Sequence, residues 1–178
     1  MLHDLRALIT ATATRYGLRP SLIAGVVLTE SGGDQAAWKP EGHYRYLVDV
    51  RTCRPFRRLT TAEIASEKAP EDFRALAGHP DQEWWAQQAS WGLMQVMGGV
   101  ARELGYTRPY LGRLLVDVDD NLDLGCRLLA GHVAWARGDT ARALRAYNGG
   151  RGNADAAGTA PYPGKVRANE VAIERAWT

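Results

Sequence analysis

The chain has 178 residues, 46% apolar and 24% charged, enough to bury one core and too apolar for a disordered segment. Its formal net charge of +2, with both signs interspersed, is too weak an excess to imply nucleic acid as a partner. Cys53 and Cys126 form no C-x-x-C pair and have no histidine at zinc-ligand spacing, so they make no metal site; two reduced thiols are expected, with a single disulfide between them as the unforced alternative.

The opening "MLHDLRALITATATRYG" lacks a basic start and an unbroken apolar run, so a signal peptide is not expected. Within it Leu5, Leu8, Ile9, Thr12 and Tyr16 recur at helical spacing up to Gly17, which predicts an amphipathic helix. "RPSLIAGVVLTES" predicts a second one, with Pro20 at its first position and Gly32-Gly33 as its stop. This helix is apolar on most sides and should run through the core. It carries one carboxylate, Glu30, to its end.

"HYRYLVDVRTCRPFRRLT" alternates aromatic or β-branched with polar residues and predicts a short hairpin turning at "RTCRP". Thr60 and Glu63 stand at capping-box spacing and predict a short helix. Beyond a Pro/Gly-punctuated stretch, "DQEWWAQQAS" predicts a helix capped by Asp81. "GGVARELG", "DNLDLGCRLLAGHVAWAR", "DTARALRAYNGG" with its Asp cap, and about "GKVRANEVAIERAW" predict the remaining helices. In the second of these Leu122, Leu129, Val133 and Ala136 share a face. The expected result is a mainly α domain with a little β structure: a helical bundle over residues 1–178 with a segment inserted at about 41–89 that carries a small β-hairpin. No stretch approaches a membrane span, so stable membrane insertion is not expected.

Three stretches join polar residues to glycines at helix edges: "ESGG" at 30–33, "ASWGLMQVMG" at 89–98 and "RAYNGG" at 145–150. Singly, each has a plain reading. Glu30 could be an exposed last turn, Gln95 could satisfy a buried backbone group, and Tyr147 could be core. Taken together and in order, "TES…GLMQ…AYNGG" resembles the lytic transglycosylases of the soluble lytic transglycosylase type, which share a lysozyme-like fold with goose-type lysozymes. The segment after Glu30 is longer than in the simplest members and looks like that of phage-encoded transglycosylases and endolysins. Two details depart from the family pattern: Gly98-Gly99 stand where a Pro often follows "GLMQ-x-M", and Gly149 replaces the Ala of "AYNAG".

The resemblance implies cleavage of the MurNAc-β-1,4-GlcNAc bond of peptidoglycan by one Glu rather than the usual carboxylate pair. Glu30 would protonate the leaving oxygen. It would then take the proton of the C6 hydroxyl, which closes a 1,6-anhydro ring. Such an acid must keep its proton near neutral pH, and an apolar site favours the neutral form. The resemblance also assigns Ser31 beside the acid, Met94 and Gln95 as a wall that contacts sugar, Tyr147 as the hydroxyl orienting the carboxyl, and Asn148 as a brace or sugar contact. Asp49, Asp81 and Glu83 are candidates for a second carboxylate that would turn the enzyme into a goose-type-like muramidase, and Trp84, Trp85 or Trp91 for a sugar-stacking ring. A non-catalytic peptidoglycan-binding virion module is the alternative from another class.

No cofactor or metal is expected. "DVDDNLD" lacks the turn glycine of a calcium loop and has Leu128 at the bidentate position, and His3, His43, His79 and His132 form no ligand set. The expected partners are peptidoglycan glycan strands, acted on by a monomer. The expected route is synthesis in the cytoplasm and action on the periplasm or cell wall, by holin-dependent release or as part of a virion.

Overall fold

A computed structural model describes residues 2–42 and 44–177, without the side chains of Leu2 and His3; His43, in the predicted hairpin region, lies outside the described residues. The chain is predominantly helical with two small antiparallel sheets, the expected α+β lysozyme-like class. It divides into two compact units, one running to Asp34 and resuming at Leu122, the other Gln35–Asn121.

The first unit is all helix. α1 (Leu2–Arg15) turns Ile9 and Thr12 inward, as its periodicity predicts, together with Ala13, and Gly17 follows in the left-handed region at φ +66°. α2 (Pro20–Ser31) buries all six residues Leu22–Val27, each large apolar side chain contributing about 1.5–3 kcal/mol. Gly32 at φ +64° stops it, its N–H donating to Leu28 O at 3.2 Å. α6 (Val118–Trp135) continues the chain into this unit and buries Leu122, Cys126 and Leu129. α7 (Thr140–Gly149) is capped by Asp139, which accepts from Arg142 N at 3.0 Å, as expected.

α8 (Tyr162–Trp177) runs antiparallel to α2 at close range. A Cβ at Gly25 would stand 2.9 Å from Val166 O and 3.1 Å from Glu170 N, so only glycine admits that backbone. Asn169 Nδ2 donates to Thr29 Oγ1 at 3.0 Å near the end of α2. On the same interface Glu170, 1% exposed, accepts from Arg19 Nε at 3.0 Å and Arg167 Nη1 at 2.8 Å. Burial pushes that carboxyl up, but the two guanidiniums outweigh it and hold it below the usual carboxylate range.

The second unit holds the strands. β1 (Trp38–Pro40), β4 (Ala89–Trp91) and β5 (Val96–Met97) form one antiparallel sheet in the order β1-β4-β5. β2 (Val48–Asp49) and β3 (Arg54–Pro55) form the predicted hairpin, with Cys53 at φ +52° in its turn. α3 (Thr61–Ala65) starts at the expected capping box. α4 (Pro80–Gln87) is capped by His79, whose ring accepts from Asp81 N at 3.2 Å; Asp81, the expected cap, sits one residue inside the helix.

Leu47, Leu59, Phe73 and Trp84 make a small core, with Phe73 edge-on to both Phe56 and Trp84. α5 (Gly98–Glu103) explains the Gly98-Gly99 pair: a Cβ at Gly98 would fall 2.1 Å from Ala86 O, and one at Gly99 2.7 Å from Tyr46 O. A 3-10 turn at Leu111–Leu115 was not legible in the sequence.

Candidate active site

Glu30 is the next-to-last residue of α2, half-buried where the apolar helix ends. The hydroxyl of Tyr162, at the start of α8, donates to its Oε1. Burial raises the pKa of Tyr162, and the charges of Glu30 and Tyr147 and the Glu30 hydrogen bond raise it further. Tyr147, near the end of α7, is likewise pushed well above its usual value of 10.0, by burial and then by the Glu30 charge and Cys126. Both phenols therefore stay protonated and face the carboxylate as neutral groups. Three helices that meet only in the folded unit thus bring one acid and two phenols together.

Ser31, the last residue of α2, bonds inward: Oγ donates to Val27 O at 3.0 Å and accepts from Gly33 N at 3.2 Å. It fastens the helix end that carries Glu30. Asn148 is exposed on the last turn of α7. Gly149 beside it has a local reason, since a Cβ there would meet Thr159 Cγ2 at 2.6 Å. Arg151 then ties the chain to α6, its Nε donating to His132 Nδ1 at 3.2 Å. Burial and the Arg151 charge together lower the His132 pKa to about 4.

Met94 and Gln95 lie in the second unit, in the turn joining β4 to β5. Met94 is fully buried, and its N–H donates to Asn121 Oδ1 at 3.0 Å. Gln95 takes a left-handed φ of +47°, uncommon outside glycine. Its amide accounts for this strain: Nε2 donates to Ala37 O at 3.0 Å and Gly92 O at 2.9 Å, and Oε1 accepts from Ser90 Oγ at 2.8 Å. Both amide protons brace the turn, leaving acceptor capacity on Oε1.

The three candidate second acids are each engaged. Asp49 accepts from Arg51 Nη2 at 2.6 Å, which holds its carboxyl below the usual range. Asp81 accepts from Ala69 N at 2.7 Å. Glu83 is buried against Arg102 in a two-pronged ion pair, both arms at 2.8 Å. Of the tryptophans, Trp84 is core, Trp85 is 46% exposed, and Trp91 is half-buried. Cys53 and Cys126 are free thiols, and burial pushes that of Cys126 up to about 12. Among the described residues, no three His, Cys, Asp or Glu side chains are grouped to hold a metal, and no helix is long and apolar enough to cross a membrane.

Tyr162 is the site residue that sequence reasoning missed. It sits in "APYPGK", between two prolines that read as a loop, and nothing local marks it as a partner of a residue 132 positions away.

Comparison with known proteins bears on the whole chain. A protein named "Transglycosylase" from Enterobacteria phage PRD1 is 30% identical over 162 residues, covering 90% of this chain and 41% of that protein. The chain thus spans about two fifths of its relative's length. The family model described as "Transglycosylase SLT domain" matches residues 7–167, a range that includes Glu30, Gln95, Tyr147 and Tyr162. The chain belongs to the transglycosylase SLT-domain family.

Proposed function

We propose that the protein is a peptidoglycan lytic transglycosylase in which Glu30 is the one catalytic carboxyl. The observation that carries this reading is the Glu30–Tyr162–Tyr147 cluster, in which an acid at the end of an apolar helix takes a hydrogen bond from one neutral phenol and acts on a second. Asp49, Asp81 and Glu83, each already bonded, further support a single acid.

With Tyr162 donating to Oε1, Glu30 is the group that carries the exchangeable proton to the glycosidic oxygen. Glu30 gives that proton to the glycosidic oxygen as its bond to C1 of muramic acid breaks, and the N-acetylglucosamine leaves as an alcohol. The carboxylate so formed is stabilised by the Tyr162 hydroxyl. It then removes the proton from O6 of the same muramic acid while O6 bonds to C1. The 1,6-anhydro ring closes, Glu30 regains its proton, and no water is consumed.

Ser31 holds the helix end in register, and Gln95 keeps a strained turn rigid while offering Oε1 to a sugar donor. The phage relative supports a phage-borne enzyme that reaches the wall by release from the cell or from the virion. Mass spectrometry of digested sacculi tests the reading: anhydromuramoyl ends are expected, and Glu30→Gln should yield none. Reducing ends alone would mean hydrolysis, and undiminished clearing by Glu30→Gln would remove Glu30 from the chemistry.

A further inference from the structure

The second unit holds aromatic surface that Glu30 chemistry leaves unexplained. Trp38 is 57% exposed and Tyr110 52% exposed. Neither local order nor chance exposure accounts for Trp38, which is fixed in place. It pairs with Trp91 across the β1–β4 register, and the two indoles stack with centroids 6.0 Å apart and planes 20° from parallel. Trp91 is held in turn, its Nε1–H donating to Ala86 O at 2.9 Å.

Ala86 also lines a pocket of about 230 Å³, together with Gln82, Tyr110, Leu111 and Gly112. Gly112 joins this pocket to the indoles: a Cβ there would find only Trp91 Cζ3, at 4.0 Å. Tyr110, the pocket, Trp91 and Trp38 therefore form one continuous strip. The pocket carries a donor, since Gln82 Oε1 accepts from His79 N at 3.2 Å while Nε2 has no protein acceptor among the described residues. It carries no net charge, because the Glu83 carboxylate at its wall is neutralised by Arg102.

Building on the transglycosylase reading, we propose that this strip binds the glycan strand, seating one N-acetylhexosamine ring in the pocket and laying its neighbour on Trp38. The volume is below the ~300–1,000 Å³ of sites for drug-sized ligands and suits a single ring. Flat aromatic faces match the C–H faces of pyranose rings, and the Gln82 amide matches their hydroxyl and acetamido oxygens. The absence of net charge favours neutral sugars over an acidic peptide or an anionic headgroup. The strip also continues into the sheet braced by Gln95, whose amide holds the carbonyl of Ala37, next to Trp38.

Binding is measured in the Glu30→Gln protein, by sedimentation with purified sacculi and by isothermal titration calorimetry with chitotetraose. Trp38→Ala and the pocket-filling Gly112→Leu should each weaken both signals by about tenfold or more. Trp38→Phe, which keeps a stacking ring, should restore most of the Trp38 loss. Trp85→Ala, exposed on α4 but outside the strip, should bind like its parent. Parent-like binding by both Trp38→Ala and Gly112→Leu would overturn the proposal, as would a Phe variant as weak as the Ala variant or a parent that binds neither ligand. Thermal melts of each variant separate lost contact from lost fold. Failure of the transglycosylase reading shows elsewhere, in the ends released by the wild-type enzyme, and leaves these binding curves intact.

Discussion

Glu83 in the second unit and Glu30 in the first are both helical carboxylates among apolar neighbours, and their partners make them opposites. Arg102 grips Glu83 with both arms at 2.8 Å and spends its third nitrogen on Tyr106 O at 2.6 Å and Arg108 O at 2.8 Å. Both Glu83 oxygens are taken up by charged donors of a buried guanidinium, so Glu83 serves architecture. Glu30 meets the phenol of Tyr162, which donates a hydrogen bond without adding a full charge. On the proposed function Glu30 is the acid that exchanges a proton. Burial by itself therefore does not distinguish the two carboxyls; the chemistry of the partner does.

The comparison breaks most sharply at Glu30. Glu30→Gln should lower turnover by about 10²–10⁴-fold, the span of general acid catalysis, with little change in thermal melting. Glu83→Gln should do the reverse. Leaving Arg102 buried and unpaired should cost about 3–5 kcal/mol in denaturant unfolding, whereas replacing both partners with Leu and Met should recover most of it. If Glu83→Gln were as stable as the parent, the pair would not be the anchor described.

Tyr162→Phe sharpens the contrast from the catalytic side. Losing a hydrogen bond to a charged group, worth about 1.5–3 kcal/mol, should lower the rate some tenfold to hundredfold. In the proposed mechanism Glu30 acts in its protonated form, and the ionised form loses a donor in this variant. The alkaline limb of the pH–rate profile should accordingly move to higher pH; a limb that stays in place would mean that Tyr162 only fills space.

The smallest effect is expected at His132, a third buried titratable group and one whose arginine neighbour opposes its charge. Its folded pKa of about 4 lies below the unfolded value of 6.5. The unfolded chain therefore binds the proton first as pH falls. The stability contribution is complete above 6.5 and is lost progressively toward 4. Between pH 7 and pH 5.5 this amounts to about 1 kcal/mol, and His132→Gln should flatten that part of the stability curve.

Much of this was readable in one dimension. The apolar run ending in "TESGG" marked α2 and its left-handed stop, and Thr60 with Glu63 marked a capping box. Asp139 marked the start of α7. These are short-range patterns, set by chain geometry within a few residues. The cap of α4 was misplaced by two positions because His79, an unusual cap, outcompeted Asp81. The three-stranded sheet was not visible, since its strands have two or three residues and β1 finds β4 about fifty positions later.

The sequence alone determined which helices form, where Glu30 falls in its helix, and which family pattern surrounds it. Only the tertiary structure decided that Tyr162 holds Glu30, that Gln95 braces its own turn, and that Glu83 is consumed by Arg102. The physical reason is the same in each case. Helix periodicity and caps are local energies written in neighbouring residues, whereas a carboxylate's partner is chosen by packing, here by a glycine at position 25 that lets α8 lie against α2.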